Sequence, residues 1–319
     1  TFLHSQPSGR DGSLKDIKIL LGASRPDSIE LDKGLVQWAQ RSFWLDDRYI
    51  SVQDGKVPNT WRLGNRPNLI QMHSVAMQKI SDDIVEARLI DEITRTKSLI
   101  QGASATGART HVLPSRSNDI EDDGEFHYAV LGPSASSESG KPSSEAQRYL
   151  DETTSSDKPR VYRNAVVLVT PSKDGIVVSR NRIKEYLGWE LVLTDINAQE
   201  GEIDAVRIQN LRMQLDKAKG KVPESIKQAY CIVVTVSDKN QVQAFKIQVT
   251  DEPLFTTIKN DSRSRIQESA ITAEAMLAGG PYDLWREGED SRRVKDLAGA
   301  FAQLPHLPKM LKTEAIYNT

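Results

Sequence analysis

The chain has 319 residues, 42 Lys+Arg against 44 Asp+Glu, 38% hydrophobic residues and a mean hydropathy of −0.48. No apolar run approaches the roughly 18–20 residues needed to cross a bilayer as a helix, which excludes a helical membrane protein. One cysteine excludes an intrachain disulfide framework and a multi-thiolate metal site, and a net charge of −2 excludes a strongly basic nucleic-acid coat. The length suggests two or three domains with modest cores and much polar linker. The sequence opens at Thr1 without Met or a secretory signal and stops just after a helix-like stretch. It therefore reads as an excised piece of a longer cytoplasmic polypeptide.

Residues 1–72 read as a winged-helix-like module. Ser13 can cap a short helix carrying Leu14, Ile17, Leu20 and Leu21 on one side. Arg25-Pro26-Asp27 breaks the chain, and Asp32 opens a stronger helix with Leu35, Ala39 and Phe43 at i, i+4 and i+8. Two short strands, 49–53 and 60–63, are joined by Asp54-Gly55-Lys56, a hairpin signal. The same pattern also fits a small α+β domain that only packs. Residues 73–112 form a helical connector, a single amphipathic helix over 74–101 with Val75, Ile80, Ile84, Leu89, Ile93 and Ile100 near a 3.6 period.

Residues 113–260 read as a degenerate α/β module with a small parallel sheet. An acidic, Ser-rich insertion spans 119–157, where ten acids face Lys141 and Arg148, a net of −8. Its 134–144 part is poor in apolar residues and is expected to be mobile. A strand at 126–131 and the apolar run 165–169 fit a parallel sheet buried on both faces. A helix through Arg182, Ile183, Tyr186 and Leu187 is expected to stop near Gly188, and another spans 200–220. Strands 229–237 and 244–249 are joined by Asp238-Lys239-Asn240. Residues 261–319 form a helical C-terminal module. Asp261 or Ser262 caps a helix aligning Ile266, Ala270, Ala273 and Leu277, and the tail from 294 begins a second, truncated helix–turn–helix unit. The fold class is mixed α/β.

Chemical motifs are sparse. The segment from Gly132 to Lys141 follows a strand and ends Gly-Lys, but seven residues separate its glycines where a phosphate loop has four. Pro142 stands where Ser or Thr would hold magnesium, and Thr170-Pro171 follows the apolar strand where an ATPase strand presents an acid. The five histidines show no i, i+3 or i, i+4 pair, and Cys231 sits in an apparent buried strand with a packing role. Positive charge gathers at the wing, where Lys56, Trp61, Arg62 and Arg66 are candidate nucleic-acid contacts, although residues 1–72 carry a net of only +2. Arg160 and Arg163 lead into the buried strand. They can reach a phosphate or partner carboxylate, or neutralise the acidic segment upstream.

Three blocks together resemble one family. They are Trp61-Arg62-Leu63-Gly64-Asn65-Arg66-Pro67-Asn68-Leu69, then 159–169 (Pro-Arg-Val-Tyr-Arg-Asn-Ala-Val-Val-Leu-Val) with Tyr186-Leu187-Gly188-Trp189, and Leu304-Pro305-His306-Leu307-Pro308-Lys309. Their order and spacing are similar to the region after the ATPase core in large prokaryotic AAA+ proteins with the "domain of unknown function 499". The resemblance extends over most of the chain. It implies a cytoplasmic ATPase of bacterial phage-defence clusters, encoded beside DNA methyltransferases. ATP and magnesium then belong to the parent protein upstream, with no cofactor, metal or catalytic residue in this piece. The implied role is to couple ATP-driven motion to DNA or a defence partner. The implied partners are the upstream ATPase region, DNA, and the methyltransferase or other cluster proteins. A protein-interaction scaffold without nucleic-acid contact is the other reading, and an enzyme with a pocket near Arg160 and Arg163 is the third.

Overall fold

The computed structural model describes residues 12–42, 44–46, 57–64, 67–198, 205–285, 288–289, 291–312 and 316. In chain order the elements are β1 (Gly12–Ser13), α1 (Leu14–Gly22), α2 (Ser28–Arg41), β2 (Thr60–Trp61), α3 (Leu69–Lys79), α4 (Asp82–Arg95), β3 (Arg109–Val112), β4 (His127–Val130) and α5 (Ser144–Asp151). They continue with β5 (Val166–Thr170), α6 (Lys173–Asn197), α7 (Ala205–Ala229), β6 (Ile232–Val236), β7 (Val242–Lys246), α8 (Leu254–Asn260), β8 (Ile266–Gln267), α9 (Ala273–Met276), α10 (Val294–Gln303) and β9 (Lys309–Met310). The chain divides into two units, 1–87 with 181–222, and 88–180 with 223–319. The divisions fall inside α4, α6 and α7, so each unit combines two stretches of chain.

In the first unit Ser13 caps α1, as its position predicts, by accepting from the amide of Asp16. Only half of the expected apolar side is used. Leu14 and Ile17 pack on the small core of Leu35, Ala39, Leu45 and Trp61, while Leu20 and Leu21 face solvent. The second helix begins earlier than expected, because Asp27 accepts from the amides of Ile29 and Glu30. Asp32 lies inside that helix and pairs with Lys18 at 2.7 Å. β2 pairs antiparallel with β1, and Leu45 bridges Leu63. The other expected arm of the hairpin, 49–53, and its turn lie outside the described residues, as does Phe43.

The single connector helix expected over 74–101 is two helices, α3 and α4. The chain turns extended at Ile80, which resets the helical phase. Ala76 and Val85 are buried in place of the expected Val75 and Ile84, which are exposed. α6 does not stop at Gly188. A Cβ there would lie 2.8 Å from both His73 Nε2 and Met77 Cγ, so this glycine admits the close approach of α3. α7 likewise outruns its predicted end and continues through Pro223, because Val222, Ile226 and Ala229 extend its buried stripe past the proline.

The second unit is built on a five-stranded sheet of order β3-β4-β5-β6-β7. β4 and β5 are parallel, as the apolar runs at 126–131 and 165–169 predict; β3, from residues expected in the helical connector, adds a third parallel strand, and β6 and β7 are antiparallel additions. On one face Ile120, Ala129, Leu131, Tyr149, Leu150, Val166, Leu168 and Val234 form a core, and the single cysteine packs there. Phe126 and Tyr128 meet Phe255 edge-on at 6.4 and 5.0 Å. The helix expected from 261 to 277 does not form. Asp261 caps one turn of 3-10 helix, Arg265 is left-handed at φ 52°, and Ile266–Gln267 become β8, parallel to β9. The C-terminal module runs from α10 into β9 at Lys309–Met310, so 304–312 is not helical as expected, and Ile316 beyond it is helical. Its core is Ile271, Met276, Ala298, Phe301, Leu307 and Met310.

Candidate functional site

The wing candidates separate at once. Lys56 and Arg66 lie outside the described residues. Trp61 is a core side chain, 1% exposed, stacked on Trp38 at 4.8 Å with Nε1 donating to the carbonyl of Pro58 at 2.8 Å. Its ring is committed inside the module and does not offer a face to a base, which corrects its assignment as a nucleic-acid contact. Arg62 follows it and is half-buried, and its carbonyl accepts from the amide of Asp46.

Arg160 and Arg163 are also turned inward. Arg160 is 3% exposed. Its guanidinium donates to the carbonyls of Ser117, Ile120 and Glu121 at 2.9, 3.0 and 3.1 Å, and to Tyr149 at 3.3 Å. Arg163 donates to Asp151 and, at 2.9 Å, to Asn240 Oδ1. Both are thus engaged within the fold and neither is presented to a phosphate. The acidic insertion is equally well tied. Asp122 accepts from the amides of Val161 and Tyr162 at 2.8 and 2.9 Å, and Arg109 pairs with Glu121 and Asp123 at 2.5 Å each. A segment of net −8 is stable here because its carboxylates meet arginine and backbone donors.

The Ser-rich stretch expected to be mobile folds over the ends of β4 and β5. Ser137 is fully buried, its amide donates to Pro171, and it bridges Ser172. Glu138 and Lys141 close a tight turn with Gly140 left-handed at φ 78° and donating to Ala244. Ser143 then caps α5. The stretch is poor in apolar atoms, yet its hydroxyls satisfy one another and the strand ends.

Asn164 is the hub of a second buried network. Its amide donates to the carbonyls of Phe301 and Leu307, and its Oδ1 accepts from Lys309 Nζ at 2.6 Å and Arg265 at 3.0 Å. Lys309 is fully buried, with the carbonyl of Val236 at 3.1 Å as its other acceptor. Burial pushes this amine well below the usual lysine range, and the neighbouring Arg265 adds to the effect. Two of the sequence blocks singled out above, 159–169 and 304–309, therefore meet at one residue.

A third constellation was hidden in the sequence. His111 Nε2 lies 2.9 Å from His127 Nδ1, and His127 Nε2 lies 3.0 Å from Asp123 Oδ1. The two histidines are sixteen residues apart, and parallel pairing of β3 with β4 places them on one face. Their rings are 5.2 Å apart between centroids. His127 is 1% exposed and His111 is half-buried. Burial holds His111 below the ordinary imidazole range, reinforced by His127, Arg109 and Arg160 and opposed by Glu121. Partial burial works against ionisation of Asp123, but the Glu125 amide, His127 and Arg109 outweigh it and keep its pKa low. Among the described residues no group of three His, Cys, Asp or Glu is set to hold a metal.

The surface of the first unit carries the remaining feature. A hollow of about 570 Å³ is lined by Ser13, Leu14, Lys15, Lys18, Ile19 and Asn59. A second, of about 670 Å³, is floored by Leu14, Ile29, Val36 and Val57 and edged by Asp32 and Lys33. Leu14 belongs to both, so they adjoin. Ile19, Leu20 and Ile29 are 65%, 76% and 67% exposed. Comparison with protein-family models, curated proteins and solved structures gives no match for the chain.

Proposed function

We propose that this chain is a non-catalytic accessory region of a AAA+-like ATPase of the domain of unknown function 499 family, and that it docks protein through its first unit. The carrying observation is the apolar, lysine-edged surface of α1 and α2. Scattered exposed apolar side chains are ordinary, whereas adjoining hollows with an apolar floor suit a protein partner. Arg160 and Arg163, the candidate phosphate or partner contacts, are engaged inside the second unit, so they lend no support to DNA contact. The family reading is supported by the convergence of two of its sequence blocks on Asn164, since a buried polar hub demands particular residues at fixed places. Two helices followed by a strand that pairs back on β1 support a winged-helix-like reading of the first module. ATP and magnesium act in the parent protein upstream, and the partner is that ATPase region.

Co-expression of the chain with its upstream ATPase region, followed by light scattering, tests this. Ile19→Glu with Leu20→Glu is expected to weaken the complex about tenfold or more, the range of a hot-spot loss. A complex of unchanged affinity would overturn the docking surface. Salt-dependent duplex binding that Arg62→Ala abolishes would favour the DNA reading instead.

A further inference from the structure

We propose that Asp123, His127 and His111 form a proton-operated latch that fastens the edge strand β3 to the sheet. The argument starts from hydrogen-bond direction. Ionised Asp123 can only accept, so His127 Nε2 carries the hydrogen directed at it. His127 Nδ1 is then a lone pair and accepts from His111 Nε2. That leaves His111 Nδ1 as a bare acceptor, with no partner among the described residues. The carboxylate thus fixes both tautomers in one direction.

Protons act on this chain in two unequal steps. The first enters at His111 Nδ1 and leaves the Nε2–H donation to His127 intact. The second must enter at His127 Nδ1, the acceptor of that same bond. Two imidazolium rings then face each other with hydrogens 2.9 Å between nitrogens, and the link breaks. The charged groups facing the pair are Arg109 from β3, Glu121 and Asp123 from the loop before β4, and Arg160 from the segment after α5. α5 contributes Tyr149, a neutral phenol that donates to the carbonyl of Pro114 beyond β3. Arg109 and Arg160 oppose charge on His111, Glu121 favours it, and Asp123 accepts from His127.

β3 is the strand such a break would free. It is an edge strand of four residues with β4 as its partner in the sheet. Leu113, which follows it directly, is left-handed at φ 52°, a conformation a leucine adopts only at a cost. Detachment of β3 relaxes that backbone, so the histidine link works against stored strain.

Nitrogen-15 NMR of the full chain tests the latch. Near neutral pH both imidazoles should be Nε2–H tautomers, and the hydrogen-bonded pair should take up two protons in separated steps. Below the second step, amide protection over 109–113, corrected for intrinsic exchange, should fall about tenfold per pH unit, while β5 and β6 stay protected. His111→Asn should abolish that dependence without unfolding the sheet, and His127→Gln should do the same from the other ring. An Nδ1–H tautomer at either ring, or independent titration of the two rings, overturns the proposal. So does acid release of β3 that persists in both variants.

Discussion

Arg160 in the second unit and Leu20 in the first both break the usual partition of side chains, in opposite senses. The guanidinium is 3% exposed and the leucine 76% exposed. Arg160 can be buried because the carbonyls of Ser117, Ile120, Glu121 and Tyr149 converge on it, and a satisfied buried cation becomes a clamp. Leu20 stays out because α1 spans little more than two turns, and the core beneath it is filled by Leu14, Ile17, Leu35 and Trp61. The second unit consumes its charges internally, and the first leaves apolar area unfilled. For these two units, residue type is a poor guide to the interacting surface; what each side chain already touches is the better one.

The sharpest break of that contrast is Trp61→Ala. It removes the largest side chain of a small core and should destabilise the first unit by about 3–5 kcal/mol, read by urea unfolding of that unit. The second unit should keep its transition. A shared loss would mean that the two units unfold together. Arg160→Ala should cost the second unit about 3 kcal/mol, because several buried carbonyls lose their donor at once. Arg160→Lys should recover only part of this, as an ammonium cannot match the planar fork.

Lys309→Met sharpens the comparison through pH. The buried amine has a pKa well below the lysine range in the folded chain and the ordinary value in the unfolded one. Between those two values the unfolded chain binds more protons, so folding stability rises with pH across that window. Urea midpoints at about pH 7 and about pH 9 should therefore increase more in the wild type than in the methionine variant. Equal increments would show that Lys309 keeps its charge in the fold. The smallest effect belongs to Leu20→Ser, which should leave stability within about 0.5 kcal/mol while weakening partner binding. A large loss of stability there would place Leu20 in a core.

Periodicity and end signals already determined much of the local structure. Ser13 caps where it should, 127–130 and 166–170 are strands, and Asp238-Lys239-Asn240 turns the chain with Asn240 at φ 59°. These features depend on neighbours a few residues away, so the sequence carries them in full. Gly188 shows where that ends. Locally it is a stop signal, but α6 continues through it, and the missing Cβ lets His73 and Met77 approach.

Most of the candidate chemistry was decided by tertiary contact. A basic cluster drew Trp61 into a nucleic-acid reading, and burial against Trp38 and Pro58 removed it. The Ser-rich stretch is poor in apolar atoms, so its order rests on buried Ala135, on Pro171 and Ala244 and on its own hydroxyls, partners that local composition does not reveal. His111 and His127 carry no spacing signal, since two parallel strands and not one helix bring them together. The sequence by itself thus determined the strands, caps and turns, whose causes are local. Only the tertiary structure decided which charges are spent inside, which apolar side chains remain outside, and which distant histidines meet, because each of these depends on atoms far away along the chain.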